Sequence, residues 1–199
     1  MPLTDLKIEF PGLFAGDTCH SISEAEGYAD SVSAGLGFAI RVASWTENEN
    51  LRVLQYRDRG ATIDLRVEIH RDSTSGSRPL WLFRSSAERL DIGLRIQSPD
   101  RLRATPSLFE QDAKDMLRRL RRVRCDASGR LVGRLKRWDC RKEQGLIECV
   151  PGALVLVQNA DLPEHLQQQV RQFKWFSFEL LRTPHGQKAI QVRPVGPNG

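Results

Sequence analysis

The feature that most constrains this fold is a strict alternation of apolar and polar residues in TIDLRVEI, residues 62–69. The apolar members are Ile63, Leu65, Val67 and Ile69. Because successive side chains of a β-strand point to opposite faces, a period of two places all four on one side of a half-exposed antiparallel strand. The pattern therefore predicts a sheet with one buried face.

Neighbouring stretches extend this prediction over residues 36–98. The segments FAIRVASW, LRVLQY, PLWLF and DIGLRIQ are similarly rich in β-forming residues, and they are separated by the turn clusters NEN, DRG, STSGSRP and SPD. We expect a curled antiparallel sheet or a small barrel, within an N-terminal β-rich domain at residues 1–104. Residues 11–35 give only a weak helix signal because three glycines interrupt SISEAEGYADSVSAGLG, so we expect a loop with at most one helical turn.

The hydrophobic period changes at residue 105, which predicts a linking helix over residues 105–125. Thr105 or Ser107 can cap this helix, Pro106 suits its first turn, and Glu110 stands three residues after Ser107, as in a capping box. An apolar stripe recurs at helical spacing, formed by Leu108, Phe109, Ala113, Met116, Leu117, Leu120 and Val123. The other face, LRRLRRVR, is either a solvated basic face that complements the helix dipole or a surface that contacts phosphates.

Strands return after CDASG, and residues 128–196 are predicted to form a second domain. Five short strands, with a longer polar connection (DLPEHLQQQVRQ) after the third, are typical of a small Greek-key barrel of the oligonucleotide-binding (OB) kind. In KWFSFELLR we expect Phe176 and Phe178 in the core and Trp175 on the surface. The predicted fold class is mainly β (α+β), with an N-terminal antiparallel sheet or barrel, a linking basic helix and a five-stranded OB-like barrel.

A spaced set of residues opens this second domain: Gly133, Leu135, Lys136, Trp138, Asp139, Lys142, Gly145 and Ile147. ALVLVQNADL follows it, and FSFELLRTPHGQKAIQV closes the domain. In order and spacing these stretches resemble the bacterial cold-shock domain, over roughly residues 130–195, about a third of the chain. The resemblance implies a cold-shock-like barrel that binds single-stranded nucleic acid.

The sequence departs from the cold-shock pattern at the positions that bind bases. Members of that family stack bases on rings that project from the first three strands, and each stacked base is worth about 1–3 kcal/mol. Here the four tryptophan or phenylalanine positions carry Arg137, Gln144, Leu146 and Leu156, and the histidine position carries Gln158. The absence of the four tryptophan or phenylalanine rings would remove roughly 4–12 kcal/mol if the losses added, so the resemblance does not imply tight binding.

Positive charge remains on the same predicted surface. The expected nucleic-acid contacts are Arg134, Lys136, Arg137, Trp138, Arg141, Lys142, Arg118, Arg119, Arg121 and Arg122. A guanidinium can stack on a base and bind phosphate, so Arg137 can replace part of a lost ring. We therefore predict weak contact, without sequence preference, with RNA or single-stranded DNA. The alternative is a protein-protein interaction adaptor, in which Leu146 and Leu156 form an apolar patch rimmed by charge.

The sequence indicates no catalytic, metal or cofactor site. It contains none of the phosphate-loop, nucleophile-elbow or zinc-protease motifs, and the cysteines have no C-x-x-C spacing. Cys19 beside His20 is a weak candidate nucleophile, since adjacent residues rarely face each other. Acidic residues of the first half could in principle bind Mg²⁺ for a nuclease; they include Asp58, Asp64, Glu68 and Asp72. A mixed-charge solvent face explains Asp64 and Glu68 better. We expect a protein without enzymatic activity.

The charge distribution favours a polyanionic partner for the second half. Residues 1–98 carry a net charge of −3, residues 99–127 of +3 and residues 128–199 of +5. A basic surface attracts nucleic acid, although a net charge of this size is compatible with other partners. No apolar run is long enough to span a membrane, and the first residues lack a signal-peptide pattern, so a cytoplasmic location is expected.

Overall fold

The computed structural model describes residues 18–73, 79–98, 101–184 and 186–196. It confirms the predicted fold class: the chain is mainly β, with an N-terminal antiparallel sheet, an intervening helix and a closed C-terminal barrel of five strands. The chain divides into two compact units, residues 1–90 with 97–117 and residues 91–96 with 118–199. Within the described part of the chain, no helix is both long enough and apolar enough to cross a bilayer.

The sheet of the N-terminal unit follows the strands expected from the sequence. Its strands are β1 (Phe38–Asn48), β2 (Leu51–Asp58), β3 (Ile63–Asp72) and β4 (Leu80–Arg89), and β5 (Leu94–Gln97) follows them in the chain. The strands β1 to β4 pair antiparallel with their neighbours in sequence. On β3, the apolar set of residues 63, 65, 67 and 69 is buried, so the alternation predicted the buried face correctly.

The opposite face of β3 carries paired charges. Asp64 accepts hydrogen bonds of 2.7 and 3.0 Å from Arg57, and these hydrogen bonds hold the pKa of Asp64 below its usual range. At Glu68, burial by itself would raise the pKa. The hydrogen bonds of 2.6 and 2.9 Å from Arg84, the charge of Arg84, and the contacts with His70 and Arg66 together outweigh burial, and the pKa is lowered. The face carries mixed charge, as expected, but Asp64 is buried and Glu68 is half-buried, so the expected exposure to solvent is not found.

Residues 22–35 form a helix, so the prediction of a loop there is wrong. The helix α1 (Ile22–Gly35) begins with a capping box, in which the Glu24 amide donates to Ser21 Oγ (3.1 Å) and the Ser21 amide donates to Glu24 Oε2 (3.2 Å). Small and aromatic side chains on its buried face pack over the sheet; they are Ala25, Tyr28, Ala29, Val32 and Ser33. Residues 11–17 of the predicted loop lie outside the described residues.

Polar contacts with the sheet also stabilise α1. Glu26 accepts a hydrogen bond of 2.7 Å from Arg52, and Asp30 accepts one of 2.7 Å from the Tyr56 hydroxyl and is paired with Arg41. Glycine costs about 1 kcal/mol in a helix interior relative to alanine. Packing and these cross-element contacts outweigh that penalty, which a local sequence pattern cannot reveal.

The second helix, α2 (Pro106–Arg121), begins at the predicted proline. Thr105 precedes the first turn, and its carbonyl accepts from the amides of Leu108 and Phe109 (3.1 and 3.3 Å). Most of the expected stripe is buried, but Leu108 is 50% exposed. Because consecutive helical residues are rotated by about 100°, Leu108 lies to one side of the stripe that Phe109 begins.

The C-terminal unit contains a closed ring of five strands. They are β7 (Leu131–Asp139), β8 (Gln144–Val150), β9 (Ala153–Gln158), β10 (Trp175–Thr183) and β11 (Gly186–Val195), and a short strand β6 (Arg124–Cys125) precedes them. The order around the barrel is β7-β8-β9-β11-β10, and β10 pairs with β7 to close it. The β9–β11 pairing is parallel and the others are antiparallel.

The barrel interior is filled by aromatic and branched side chains around two glycines. Phe176 and Phe178 are fully buried, as predicted. A Cβ at Gly133 would lie 2.5 Å from Ile147 Cγ2, and one at Gly145 would lie 2.6 Å from the backbone oxygen of Arg137. Both positions therefore require glycine for close packing rather than for turn geometry.

Candidate nucleic-acid interface

The strand β7 presents its cations on the outer face of the barrel. Arg134 is exposed and pairs in register with Glu148 on β8 and with Trp175 on β10. Arg137 is exposed and pairs with Leu146. Directly opposed residues in a sheet share a face, so Arg134 and Arg137 lie on the same outer surface as these partners.

The positions where the resemblance places rings come together on this outer surface. Leu146 pairs in register with Arg137 on one side and with Leu156 on the other, and Gln144 pairs with Gln158. The five residues therefore occupy two adjacent cross-strand rows. These two rows offer one guanidinium, two amides and two leucines at the positions where the resemblance implies rings.

A bulge in β7 separates one cation from the others. The register with β8 shifts between Leu135 and Arg137, which leaves Lys136 as the extra residue. Its Nζ lies 2.9 Å from a carboxylate oxygen of Glu148. Because the Glu148 carboxylate partly neutralises the Lys136 ammonium group, Lys136 is a weaker candidate for a phosphate contact than Arg134 and Arg137.

The hairpin between β7 and β8 adds cations at the end of the strand. The carboxylate of Asp139 accepts hydrogen bonds from the backbone amides of Arg141 (2.9 Å) and Lys142 (3.2 Å), which fixes the turn. An open concavity of about 500 Å³ is lined by Arg137, Trp138, Asp139, Cys140, Arg141 and Lys142. The side chains of Arg141 and Lys142 are exposed beside it, so the hairpin can contact a phosphate.

Trp138 contributes to this concavity from the other side of the strand. It pairs in register with Gly145, and a Cβ at Gly145 would lie 2.6 Å from its ring atom Cε3. The ring is half-buried and packs where Gly145 has no side chain. The edge of Trp138 lines the concavity, but the ring does not lie on the outer rows.

The helix arginines form a separate group near the other end of β8. Arg119 donates a hydrogen bond of 3.0 Å to the carbonyl of Pro151, in the turn that follows β8. Arg118, Arg121 and Arg122 are exposed. The hairpin of Arg141 and the turn of Pro151 flank the seven residues of β8, which span about 23 Å. The predicted cations therefore do not converge on one point.

The structure shows a further cationic position beside Trp175, at Arg124, which was not among the nucleic-acid contacts expected from the sequence. The guanidinium carbon of Arg124 on β6 lies 5.7 Å from the centroid of the Trp175 ring, which is half-buried at the start of β10. Arg134 is directly opposite Trp175. Arg124 and Trp175 are far apart in the chain, and only the pairing of both β6 and β10 with β7 brings them together.

The cysteines provide a direct test of solvent access in the structure. Burial, followed by the charge of Glu24, raises the pKa of Cys19 to about 11, and burial raises the pKa of Cys149 to about 12. Cys125 and Cys140 are exposed. A buried thiol with a raised pKa is a poor nucleophile, so the structure disfavours a Cys19–His20 catalytic pair.

We therefore expect iodoacetamide at pH 8 to alkylate Cys125 and Cys140 rapidly in the folded protein. Cys19 should react only after unfolding, because at a pKa of about 11 roughly one molecule in a thousand carries the thiolate at this pH. Peptide mapping by mass spectrometry over time measures each site separately. Equal rates at Cys19 and Cys140 would contradict the burial described here.

Comparison with known proteins adds no assignment to this geometry. No protein-family model, curated protein or solved structure matches the chain.

Proposed function

We propose that the C-terminal barrel binds single-stranded RNA or DNA weakly and without sequence preference, through its backbone phosphates, and that the protein is not a catalyst. The nucleic acid would contact the outer face of β7 and the hairpin that follows it. The helix arginines would extend the positive surface. We further propose that the barrel is a cold-shock-like domain that has lost its stacking rings, because the ring positions lie together on one face.

The observation that carries this proposal is a set of exposed cations on β7 and on the hairpin that follows it, which form no ion pair with any described residue. Arg134, Arg137, Arg141 and Lys142 are exposed, and none of them has a carboxylate partner among the residues that the structure describes. From Arg134 to the hairpin the strand extends for about 17 Å. A flexible polyanion can follow such a row and release counterions at each contact.

The absence of rings explains why the proposed binding is weak and indifferent to sequence. Base stacking is the part of single-strand recognition that depends least on salt, whereas phosphate contacts are screened by it. With leucine and glutamine in the outer rows, phosphate contacts contribute most of the binding energy. Dissociation constants of about 10⁻⁴ to 10⁻⁶ M are typical of such electrostatic binding.

A specific observation also favours a protein-binding adaptor as the second candidate. Leu146 and Leu156 are directly opposed, and Leu154, two residues before Leu156 on β9, is 48% exposed. An apolar centre with a charged rim is a common arrangement in protein interfaces. In that case the cations would contribute to specificity for the protein partner through complementary charge, and they would not bind a nucleic acid.

Titration of a fluorescently labelled poly-pyrimidine strand at two salt concentrations tests the proposal. With four phosphate contacts the logarithm of the affinity should fall with a slope of about −2.8, so the affinity should fall about 50-fold between about 50 and 200 mM salt. An adaptor should show no measurable binding or a slope close to zero. That result would overturn the proposed function and favour the second candidate.

A further inference from the structure

Trp175 is a second aromatic residue of the barrel, besides Trp138, that has cationic neighbours. It begins β10, directly opposite Arg134 on β7, and the guanidinium of Arg124 lies over its ring. One arginine therefore covers the ring, and a second occupies the directly opposed position on the neighbouring strand. Trp175 also lies beside the outer face of β7 that carries Arg134 and Arg137. A single-stranded nucleic acid bound along β7 would therefore pass close to the Trp175 ring.

Trp45 in the N-terminal unit also has an arginine stacked on its ring, but its surroundings differ in charge. The guanidinium of Arg66 lies 5.2 Å from the Trp45 ring centroid. That guanidinium is also paired with Glu47 (3.0 Å) and Glu68 (3.2 Å). Around Trp45, the carboxylates of Glu47 and Glu68 neutralise the guanidinium that stacks on the ring, whereas a second arginine, Arg134, is directly opposite Trp175.

Building on the proposed function, we propose that Trp175 is a stacking site for one unpaired base. In the free protein Arg124 covers the ring; in the complex a base takes its place, and the guanidinium moves to the adjoining phosphate. An exposed cation–π contact contributes about a two- to fivefold factor to an equilibrium constant. A base stacked on an aromatic ring contributes about five- to 100-fold, which exceeds the contribution of the cation–π contact that it replaces on Trp175.

This site would make the barrel prefer single strands to duplexes. In a duplex each base is already stacked and paired, and its removal costs free energy. The phosphates of a duplex remain accessible to Arg137 and the hairpin cations, so duplex binding should not depend on Trp175. The proposed ligand class is therefore an unstacked nucleotide, with the base on Trp175 and its phosphate on Arg124 or Arg134.

The experiment compares Trp175→Ala, Trp175→Phe and the matched control Trp45→Ala in the full chain. Affinity for a labelled oligothymidine and for a duplex of equal length is measured by fluorescence anisotropy at about 50 and 200 mM salt. Trp175→Ala should bind the oligothymidine about tenfold more weakly with an unchanged salt slope, and its affinity for the duplex should not change. Trp175→Phe should keep most of the affinity, and Trp45→Ala should behave as the unmodified protein.

The outcomes separate this inference from the proposed function. If the unmodified protein binds neither ligand, both fail. If it binds with a steep salt slope but Trp175→Ala is unaffected, or loses equal affinity for both ligands, phosphate binding stands and the stacking site is overturned. Far-ultraviolet circular dichroism and urea denaturation of each variant confirm that the fold is retained.

Discussion

An Arg137→Glu, Arg141→Glu double variant is expected to bind a single-stranded oligonucleotide about 100-fold more weakly than the unmodified protein. Each lost contact between a charged donor and a phosphate costs about 1.5 kcal/mol, and a total of about 3 kcal/mol corresponds to this factor. The salt slope should also become shallower by about 1.4, because two contacts are removed. A salt-dependent anisotropy titration measures both quantities.

The matched control for this charge reversal is Arg59→Glu, Arg71→Glu. Both arginines are exposed in the N-terminal unit. Each double variant lowers the net charge of the chain from +5 to +1, because two arginines become two glutamates. If the control weakens binding as strongly as the barrel variant does, net charge rather than the row on β7 explains the affinity, and the proposed placement of the site is wrong.

This comparison is possible because the cations of β7 are not part of the barrel core. Arg137 and Arg141 are exposed, so changes to them should shift the free energy of unfolding by less than about 0.5 kcal/mol. Lys136 differs, since it is paired with Glu148 across the bulge. A loss of binding in the Arg137, Arg141 variant can therefore be attributed to the surface.

Phe176→Ala should lower the free energy of unfolding of the barrel by about 3–5 kcal/mol. The ring is fully buried, lies edge-on to Phe173 at 6.3 Å, and is directly opposite Gly133, which has no side chain to fill the vacated space. Domains are stable by only about 5–15 kcal/mol, so the variant should be partly unfolded or close to it. Urea denaturation followed by circular dichroism gives the value.

Leu181→Ala on the same strand is the control for this core substitution. Leu181 is 45% exposed, and its truncation should change the free energy of unfolding by less than about 0.5 kcal/mol. A loss of under about 1 kcal/mol for Phe176→Ala would show that position 176 does not point into the barrel. The register between β10 and β7 would then also be wrong, and Trp175 would not lie opposite Arg134.

The loop predicted before the sheet shows where local patterns failed. Three glycines and scattered serines favour a loop. This local pattern does not include Arg52 and Tyr56, which lie in β2 and donate hydrogen bonds to Glu26 and Asp30 of the helix. The capping box of Ser21 and Glu24 is a local signal for this helix, but its contacts with the sheet join residues 26 positions apart. Such contacts follow from the fold and have no periodic signature.

The candidate site could be predicted only in part, because its contacts also join residues that are distant in the chain. The positions of Arg137, Leu146 and Leu156 came from a resemblance, and strand pairing then placed them in one row. The sequence could not show that Lys136 would be a bulge residue bound to Glu148. It also could not show that Arg119 would bind the carbonyl of Pro151.

The sequence by itself determined the mainly β fold class, the buried face of β3 and the burial of Phe176 and Phe178, because a period of two fixes which side chains share a face of a strand. Only the tertiary structure decided which cations are unpaired and that Arg124, Trp175 and Arg134 form one cluster. A charge is free or neutralised according to its neighbours in space, and on a barrel those neighbours come from strands that are distant in the chain.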